Sequence, residues 1–386
     1  MFPTLGHLLS ELFNTNIHLP IPMYGTMMAL AFLAAYCVIR FEFKRKAKQK
    51  LIPVQYREEI KGKAASFQDL IWPVILGFLI GFKLLGIFFN PLLSTESLQD
   101  FVFSTRGHWP AGVGLALIFG LFTYIDKEKK KREKPIKEKV AVKPGEQAAS
   151  VLLVAAISGV IGAKIFHQLE NWEEFIANPL GSLFSSGGLT FYGGLIFGAL
   201  AVVWYTRRQE IKTTQIMDMA APAIVLAYAV GRIGCMTAGD GCWGIVNTEP
   251  MPEWLQFLPE WMWAFDFPHN VINEGVRIHS CQGQYCHILD QAVFPTPFYE
   301  TVMNLIIFGL LWAFRKIIII PGMLFSVFLV LHGFARFLIE KIRVNTTYHI
   351  AGKDITQAEI ISVVIIMLGI TGIVYFYRKH KKNKSL

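Results

Sequence analysis

The sequence predicts an all-α fold: a polytopic membrane helix bundle of about nine transmembrane helices, N-terminus outside and C-terminus inside. Three observations predict it. Of 386 residues, 53% are hydrophobic and 17% charged, where soluble globular chains carry roughly 25% charged residues. The charges are segregated, so that long apolar runs alternate with short stretches crowded with Lys. Lys and Arg also concentrate on alternate connections between the runs, as the positive-inside rule requires of membrane spans.

The runs lie at roughly 21–41, 69–89, 110–125, 149–167, 189–206, 215–232, 298–314, 319–339 and 358–377. Each reaches or approaches the ~20 residues that a ~30 Å hydrocarbon core demands. Those at 110–125, 149–167 and 215–232 are short or rich in Ala and Gly. The first run is expected to remain as a span. Residues 1–19 hold no Lys or Arg, so the basic start of a cleavable signal is missing, and Lys44, Arg45, Lys46, Lys48 and Lys50 come directly after the run. With the N-terminus outside, the inner segments 40–63, 126–143, 206–213, 315–316 and 378–386 hold 28 of the 37 Lys and Arg. The outer loops hold Arg106, Arg277, Lys341, Arg343 and Lys353. An even number of spans would put one strongly basic end on the wrong side.

This division gives a first span with its basic inner loop (1–68) and a two-helix unit with a basic inner linker (69–148). Next come the helices expected to carry the chemistry (149–234), then an outer cap loop (235–297), then three last spans and a basic tail (298–386). The stretch 127–143 reads as a solvated linker, with a nucleotide or acidic-lipid site as the alternative. The net charge of +9 does not point to nucleic acid, because the basic residues cluster beside spans and are not interleaved with aromatics for base stacking. The two-helix unit at 69–148 resembles the helices at 149–213. IGFKLLGIFF from Ile80 matches IGAKIFHQLE from Ile161, with Lys83 on Lys164 and Gly114 on Gly194, and the pair is read as a duplication.

Four polar sets stand out, because a charge placed in a span costs roughly 2.5–3.5 kcal/mol on insertion scales. The stretch GRIGCMTAGDGCWG, Gly231 to Gly244, closes the sixth run. Its glycines suggest irregular backbone lining a cavity, and Arg232 can hold a phosphate by two parallel hydrogen bonds. In HGFARFLIEKIR, His332 to Arg343, Arg336 and Glu340 share one helix face. GGLTFYGG, Gly187 to Gly194, opens the fifth run around Tyr192, and FPTPFYE, Phe294 to Glu300, opens the seventh.

Together these sets resemble the prolipoprotein diacylglyceryl transferase family. The GRIG…G…WG, TFYGG, FPTPFYE and GFARFLIEKIR stretches look like that family's landmarks in order, and Met23-Tyr24-Gly25 and Gly162-Ala163-Lys164-Ile165-Phe166 match two further elements. The likeness covers about 20–41 and 155–377. The chain departs from the family pattern in having Cys235 where Asn is common, Asp240 where Glu is common in a stretch one residue longer, Tyr192 where His is frequent, and Lys164 where Arg is frequent. The spans at 69–125 look like an addition to a seven-span plan.

The resemblance implies transfer of the diacylglyceryl group of phosphatidylglycerol to the lipobox cysteine thiol of prolipoproteins, at the outer face of a bacterial cytoplasmic membrane. This would form a thioether and release glycerol phosphate, the first step of lipoprotein maturation. Arg232 and Arg336, with Arg343 second, are expected to clamp the phosphate as its charge grows. Tyr192 is the candidate to orient or deprotonate the thiol, and Glu340 is expected to pair with an arginine. Tyr24, Gly239, Asp240 and Gly244 would shape the headgroup pocket. The expected partners are thus phosphatidylglycerol, prolipoprotein lipobox signal peptides and membrane lipid. No cofactor or metal is required, since such a substitution can run on arginine clamps. Cys235, Cys242, Cys281 and Cys286 fall in the outer region, where one or two disulfides are expected, with free thiols or zinc at His279 or His287 as alternatives. A membrane transporter or flippase for an anionic lipid or other anionic substrate is the competing reading.

Overall fold

The computed structural model describes residues 1–17, 19–89, 101, 104–132, 135–184, 188–281, 283–350 and 353–384. The loop of the first repeat at 90–100 and Gly187 of the TFYGG set lie outside the described residues. Among those described, eight helices are long and apolar enough to cross a membrane, and the chain is a polytopic helical membrane protein. They are α1 (Met23–Lys48), α2 (Phe67–Leu85), α3 (Trp109–Lys129), α4 (Pro144–Glu170), α6 (Thr213–Ala238), α7 (Thr296–Phe314), α8 (Met323–Glu340) and α9 (Gln357–Lys384). The remaining expected run, 189–206, also forms a helix, α5 (Phe191–Arg208), but its 18 residues end in Arg207 and Arg208 and it falls short of the same apolar measure.

The chain divides into two compact units. The first comprises Met1–Pro53, Pro144–Ala156 and Ala199–Leu386; the second comprises Val54–Lys143 and Ile157–Gly198.

In the first unit α6 is the spine. Its Ile216, Met219 and Ala223 pack against Ala35, Val38, Ile39 and Phe43 of α1, and its Ala221 and Val225 against Ile307 and Leu311 of α7 and Leu324, Phe328 and Ala335 of α8. Small residues permit these close approaches where lipid supplies no hydrophobic drive between helices. At one end of α6, Asp218 accepts the backbone N–H groups of Gly322 (2.8 Å) and Phe325 (3.1 Å), satisfying donors that the start of α8 leaves open. Asp218→Ala should therefore cost about 1–3 kcal/mol, read as an earlier thermal transition in detergent. An unchanged transition would refute this role.

In the second unit two antiparallel strands, β1 (Tyr56–Lys61) and β2 (Ile136–Ala141), pair with Tyr56 opposite Ala141 and Lys61 opposite Ile136. This corrects the reading of 127–143 as solvated linker throughout. Lys content hid the Ile136-x-x-x-Val140 alternation, and pairing satisfies both backbones while Lys61 meets Glu138 at 2.7 Å. The helix pairs of this unit cross at glycines. A Cβ on Gly81 would lie 2.1 Å from the Ala111 carbonyl oxygen and 2.8 Å from Gly112 Cα, and one on Gly162 would lie 2.5 Å from the Gly193 carbonyl oxygen. Gly162 comes after Gly81, and Gly193 after Gly112, at the same spacing.

Candidate active site

The site of the first unit is built where α6 and α8 end and α7 begins. The expectation of irregular backbone from Gly231 onward is corrected: α6 stays helical to Ala238. Gly234 is used for contact instead, since a Cβ there would meet Met27 Cβ at 3.0 Å and Tyr24 Cα at 3.5 Å. The helix stops at Gly239, whose φ of +66° is the left-handed conformation glycine tolerates and whose N–H bonds the Cys235 carbonyl at 3.0 Å. Gly239 also abuts Asn270, a fully buried side chain that donates to the carbonyls of Phe267, Glu274 and His287 and so knits the loop at 235–297.

Because the helix continues, Arg232 is held on a fixed face one turn beyond Tyr228. Its Nε lies 2.9 Å from Glu300 Oε2, its Nη2 donates to the Tyr228 hydroxyl at 2.8 Å, and that hydroxyl donates to Glu300 Oε1 at 2.8 Å. Glu300, on the first turns of α7, is the hub. Arg336 Nη1 stands 3.7 Å and Arg343 Nη1 3.6 Å from Glu300 Oε1. Arg336 turns its other nitrogen to Glu340 Oε2 at 2.8 Å, and Asn345 donates to Glu340 Oε1 at 2.6 Å. Glu340 thus pairs with an arginine.

All five charged groups are largely out of water: the glutamate side chains are 3% and 0% exposed, the arginines 14–23%. Counted ionised, three arginines against two glutamates leave one positive charge unbalanced. The two longer contacts exceed hydrogen-bond length, and Nη1 of both Arg336 and Arg343 has no hydrogen-bond acceptor. Glu300 Oε2 and Glu340 Oε2 sit at ion-pair distance from arginine nitrogens, yet the N–H directions miss them. The cluster is a set of guanidinium donors gathered by carboxylates that do not saturate them.

Arg343 lies just past α8 and depends on Gly244. The two residues form an antiparallel bridge, Ile245 N–H bonds the Ile342 carbonyl at 2.9 Å, and a Cβ on Gly244 would lie 2.4 Å from that carbonyl oxygen. Gly244→Ala should therefore displace the Ile342–Arg343 backbone and cost about 1–3 kcal/mol, read as an earlier thermal transition in detergent. An unchanged transition would show that the strap is irrelevant. The FPTPFYE stretch ties the loop at 235–297 to α7: Thr296 Oγ1 donates to the Cys242 carbonyl at 2.7 Å, and Tyr299 donates to the Met262 carbonyl at 2.8 Å.

Tyr24 starts α1 beside Gly234. Asp240 accepts the Cys242 N–H at 3.3 Å. Tyr192 belongs to the second unit, at the start of α5, where its ring meets Phe191 edge-on. Cys281 and Cys286 form a disulfide, whereas Cys235 and Cys242 are free thiols. A hydrogen bond shared with Cys235 holds the Cys242 thiol below its usual range.

Sequence reasoning placed Glu300 and His332 inside two of the polar sets without giving either a role, and passed over Tyr228 and Asn304. Asn304 donates its amide to the Glu300 carbonyl at 2.7 Å, which turns its oxygen to His332 Nδ1 at 3.0 Å. With the amide so oriented, His332 carries its proton on Nδ1 and leaves Nε2 as an acceptor. The available signals were an acid inside an apolar run and a tyrosine four residues before Arg232 on the same helix face.

The family model for prolipoprotein diacylglyceryl transferase matches residues 102–375. The phosphatidylglycerol–prolipoprotein diacylglyceryl transferase of Leptospira interrogans is 26% identical over 358 residues, covering 77% of this chain and 97% of that protein. The proteins of the same name from Enterococcus faecalis and Clostridium botulinum are 28% and 29% identical, covering 59% and 61% of this chain and 78% and 83% of their own. With its landmarks carried on helices that gather three arginines, this chain belongs to the prolipoprotein diacylglyceryl transferase family and is a multi-pass membrane transferase.

Proposed function

We propose that the arginine cluster centred on Glu300 is the phosphate clamp with which the chain moves a diacylglyceryl group from phosphatidylglycerol to the cysteine thiol of a prolipoprotein lipobox. The observation that carries this reading is the pair of acceptor-less groups, Nη1 of Arg336 and Nη1 of Arg343, beside one unbalanced positive charge. A phosphodiester brings one negative charge and oxygens for those donors. As the glyceryl carbon–oxygen bond breaks, charge grows on the phosphate and the fixed guanidinium groups stabilise it more than they stabilised the diester. Arg232 anchors the hub, Glu340 holds Arg336 in place, and Gly244 holds Arg343. Tyr24, Asp240 and Gly239 border the headgroup. Tyr192 is assigned to orient the thiol.

The charge balance favours an anionic lipid donor. Transfer from phosphatidylglycerol should exceed transfer from a zwitterionic phospholipid by at least about tenfold, since the added headgroup cation faces the surplus charge. Equal rates would remove the clamp from the mechanism.

The site is assigned to the outer face of the cytoplasmic membrane, supported by the 28 basic residues on alternate connections. Lys130→Cys and Gly283→Cys should react with an impermeant thiol reagent from opposite sides of the membrane. Labelling from one side would overturn the orientation.

A further inference from the structure

Beside the clamp, Cys235, Asp240 and Cys242 offer two sulfurs and a carboxylate oxygen that all lie within 4.8 Å of one another. The three are brought together by the stop of α6. Cys235 is buried on its last turns, Gly239 (φ +66°) reverses the chain, and Gly241 (φ +85°) returns Cys242 towards it. The Asx turn uses one oxygen of Asp240, Oδ1, for the Cys242 N–H. Thr296 pins the Cys242 carbonyl from α7. In the same outer region Cys281 and Cys286 are joined as a disulfide while Cys235 and Cys242 stay apart as thiols.

We propose that Cys235, Asp240 and Cys242 form a site for a thiophilic divalent cation of the zinc class, whose open fourth position takes the substrate thiol. The proposal rests on the transfer reading above. Zinc bonds of ~2.3 Å to sulfur and ~2.0–2.2 Å to oxygen, arranged tetrahedrally, put ligand atoms roughly 3.5–3.8 Å apart. The three atoms need to close by about one ångström or less, on a turn that glycines already make. Two thiolates and a carboxylate against a dication leave one negative charge, which lies beside Arg232, whose Nη1 donates to Cys235 Sγ at 3.6 Å. Three protein ligands with an open position is the pattern of catalytic zinc, and the partial exposure of Asp240 and Cys242 leaves that position reachable.

The site would serve the nucleophile as the arginines serve the leaving group. When the lipobox thiol binds, its S–H bond breaks, a sulfur–metal bond forms, and the proton passes to water. The sulfur electron pair then forms the bond to the glyceryl carbon as the carbon–oxygen bond breaks, its pair leaving with glycerol phosphate. Arg232 and Cys235 are three apart on one helix face, so sulfur and phosphate would be held within about a turn of one another.

The test uses the full chain, reduced, stripped with chelator and reconstituted in bilayers, with Co2+ as the probe. One Co2+ per chain with a thiolate-to-cobalt absorption band is expected. The band should disappear in Cys235→Ala and Cys242→Ala, persist in Cys37→Ala, and be displaced by Zn2+. Asp240→Ala should weaken Co2+ binding by on the order of tenfold or more. A lipobox peptide should intensify the band, and the same peptide with Ser for Cys should not. No band in folded wild-type protein, a band that survives Cys242→Ala, or a Cys235–Cys242 disulfide as the resting state would each overturn the site. If the metal-free protein transfers at full rate, the thiol-activating role falls while the arginine clamp stands. Transfer lost on chelation and restored by Zn2+ supports it.

Discussion

Replacing Arg232 by Ala is expected to lower kcat/KM for diacylglyceryl transfer by about 10^2–10^3-fold, the usual consequence of removing one preorganised donor from a developing anion. The residue sits in three interactions at once: Nε with Glu300 at 2.9 Å, Nη2 with Tyr228 at 2.8 Å, and Nη1 with Cys235 at 3.6 Å. Its guanidinium carbon also lies 4.8 Å from the centre of the Tyr228 ring. Arg232→Lys should recover little, and stay at least about tenfold below wild type, because one ammonium group cannot reproduce a planar fork that spans several acceptors. Kinetics of both variants in bilayers, alongside thermal unfolding, separate loss of chemistry from loss of fold. A lysine variant with wild-type kcat/KM would mean that Arg232 supplies charge alone.

The second large effect is expected at Glu300, whose charge keeps three arginines together. Glu300→Gln preserves the shape and an acceptor for the Tyr228 hydroxyl but leaves the cluster with two surplus positive charges instead of one. Breaking a buried ion pair by removing one partner costs about 3–5 kcal/mol, so the thermal transition should fall sharply. The surplus also predicts a rescue. Phosphatidylglycerol should raise the transition of Glu300→Gln more than that of wild type, because the headgroup supplies the missing anion. If a neutral or zwitterionic lipid rescues equally, Glu300 is a packing residue and not the electrostatic hub.

Much of this was legible in the chain. Nine apolar runs with a basic bias on alternate connections mark the helices, and every run falls largely within a helix of the structure. Arg232, Arg336, Arg343 and Glu340 are brought together in one cluster, because charges in spans are expensive enough to be rare and purposeful. The role of Glu300 as hub was hidden because an acid at a helix start is also ordinary interfacial chemistry. Only the packing of α7 against α6 and α8 turns it into a partner for residues on other helices. Gly231 and Gly234 misled for a related reason. Glycine lowers helix propensity by about 1 kcal/mol, but among membrane helices that loss is offset by the backbone approach it permits, here to Tyr24 and Met27. The strand at 136–141 was obscured by its lysines, since its partner lies far away in sequence at 56–61.

The central claim is that the Glu300-centred arginines carry a transfer from phosphatidylglycerol to a cysteine thiol. The most direct measurement is the mass of a lipobox peptide incubated with purified protein in phosphatidylglycerol bilayers, with released glycerol phosphate counted in parallel. A diacylglyceryl adduct and glycerol phosphate are expected in equal amounts from the wild type, with near-complete loss of both in Arg232→Ala and Arg336→Ala protein that remains folded. No adduct from folded wild type, or an undiminished rate in either arginine variant, would contradict it.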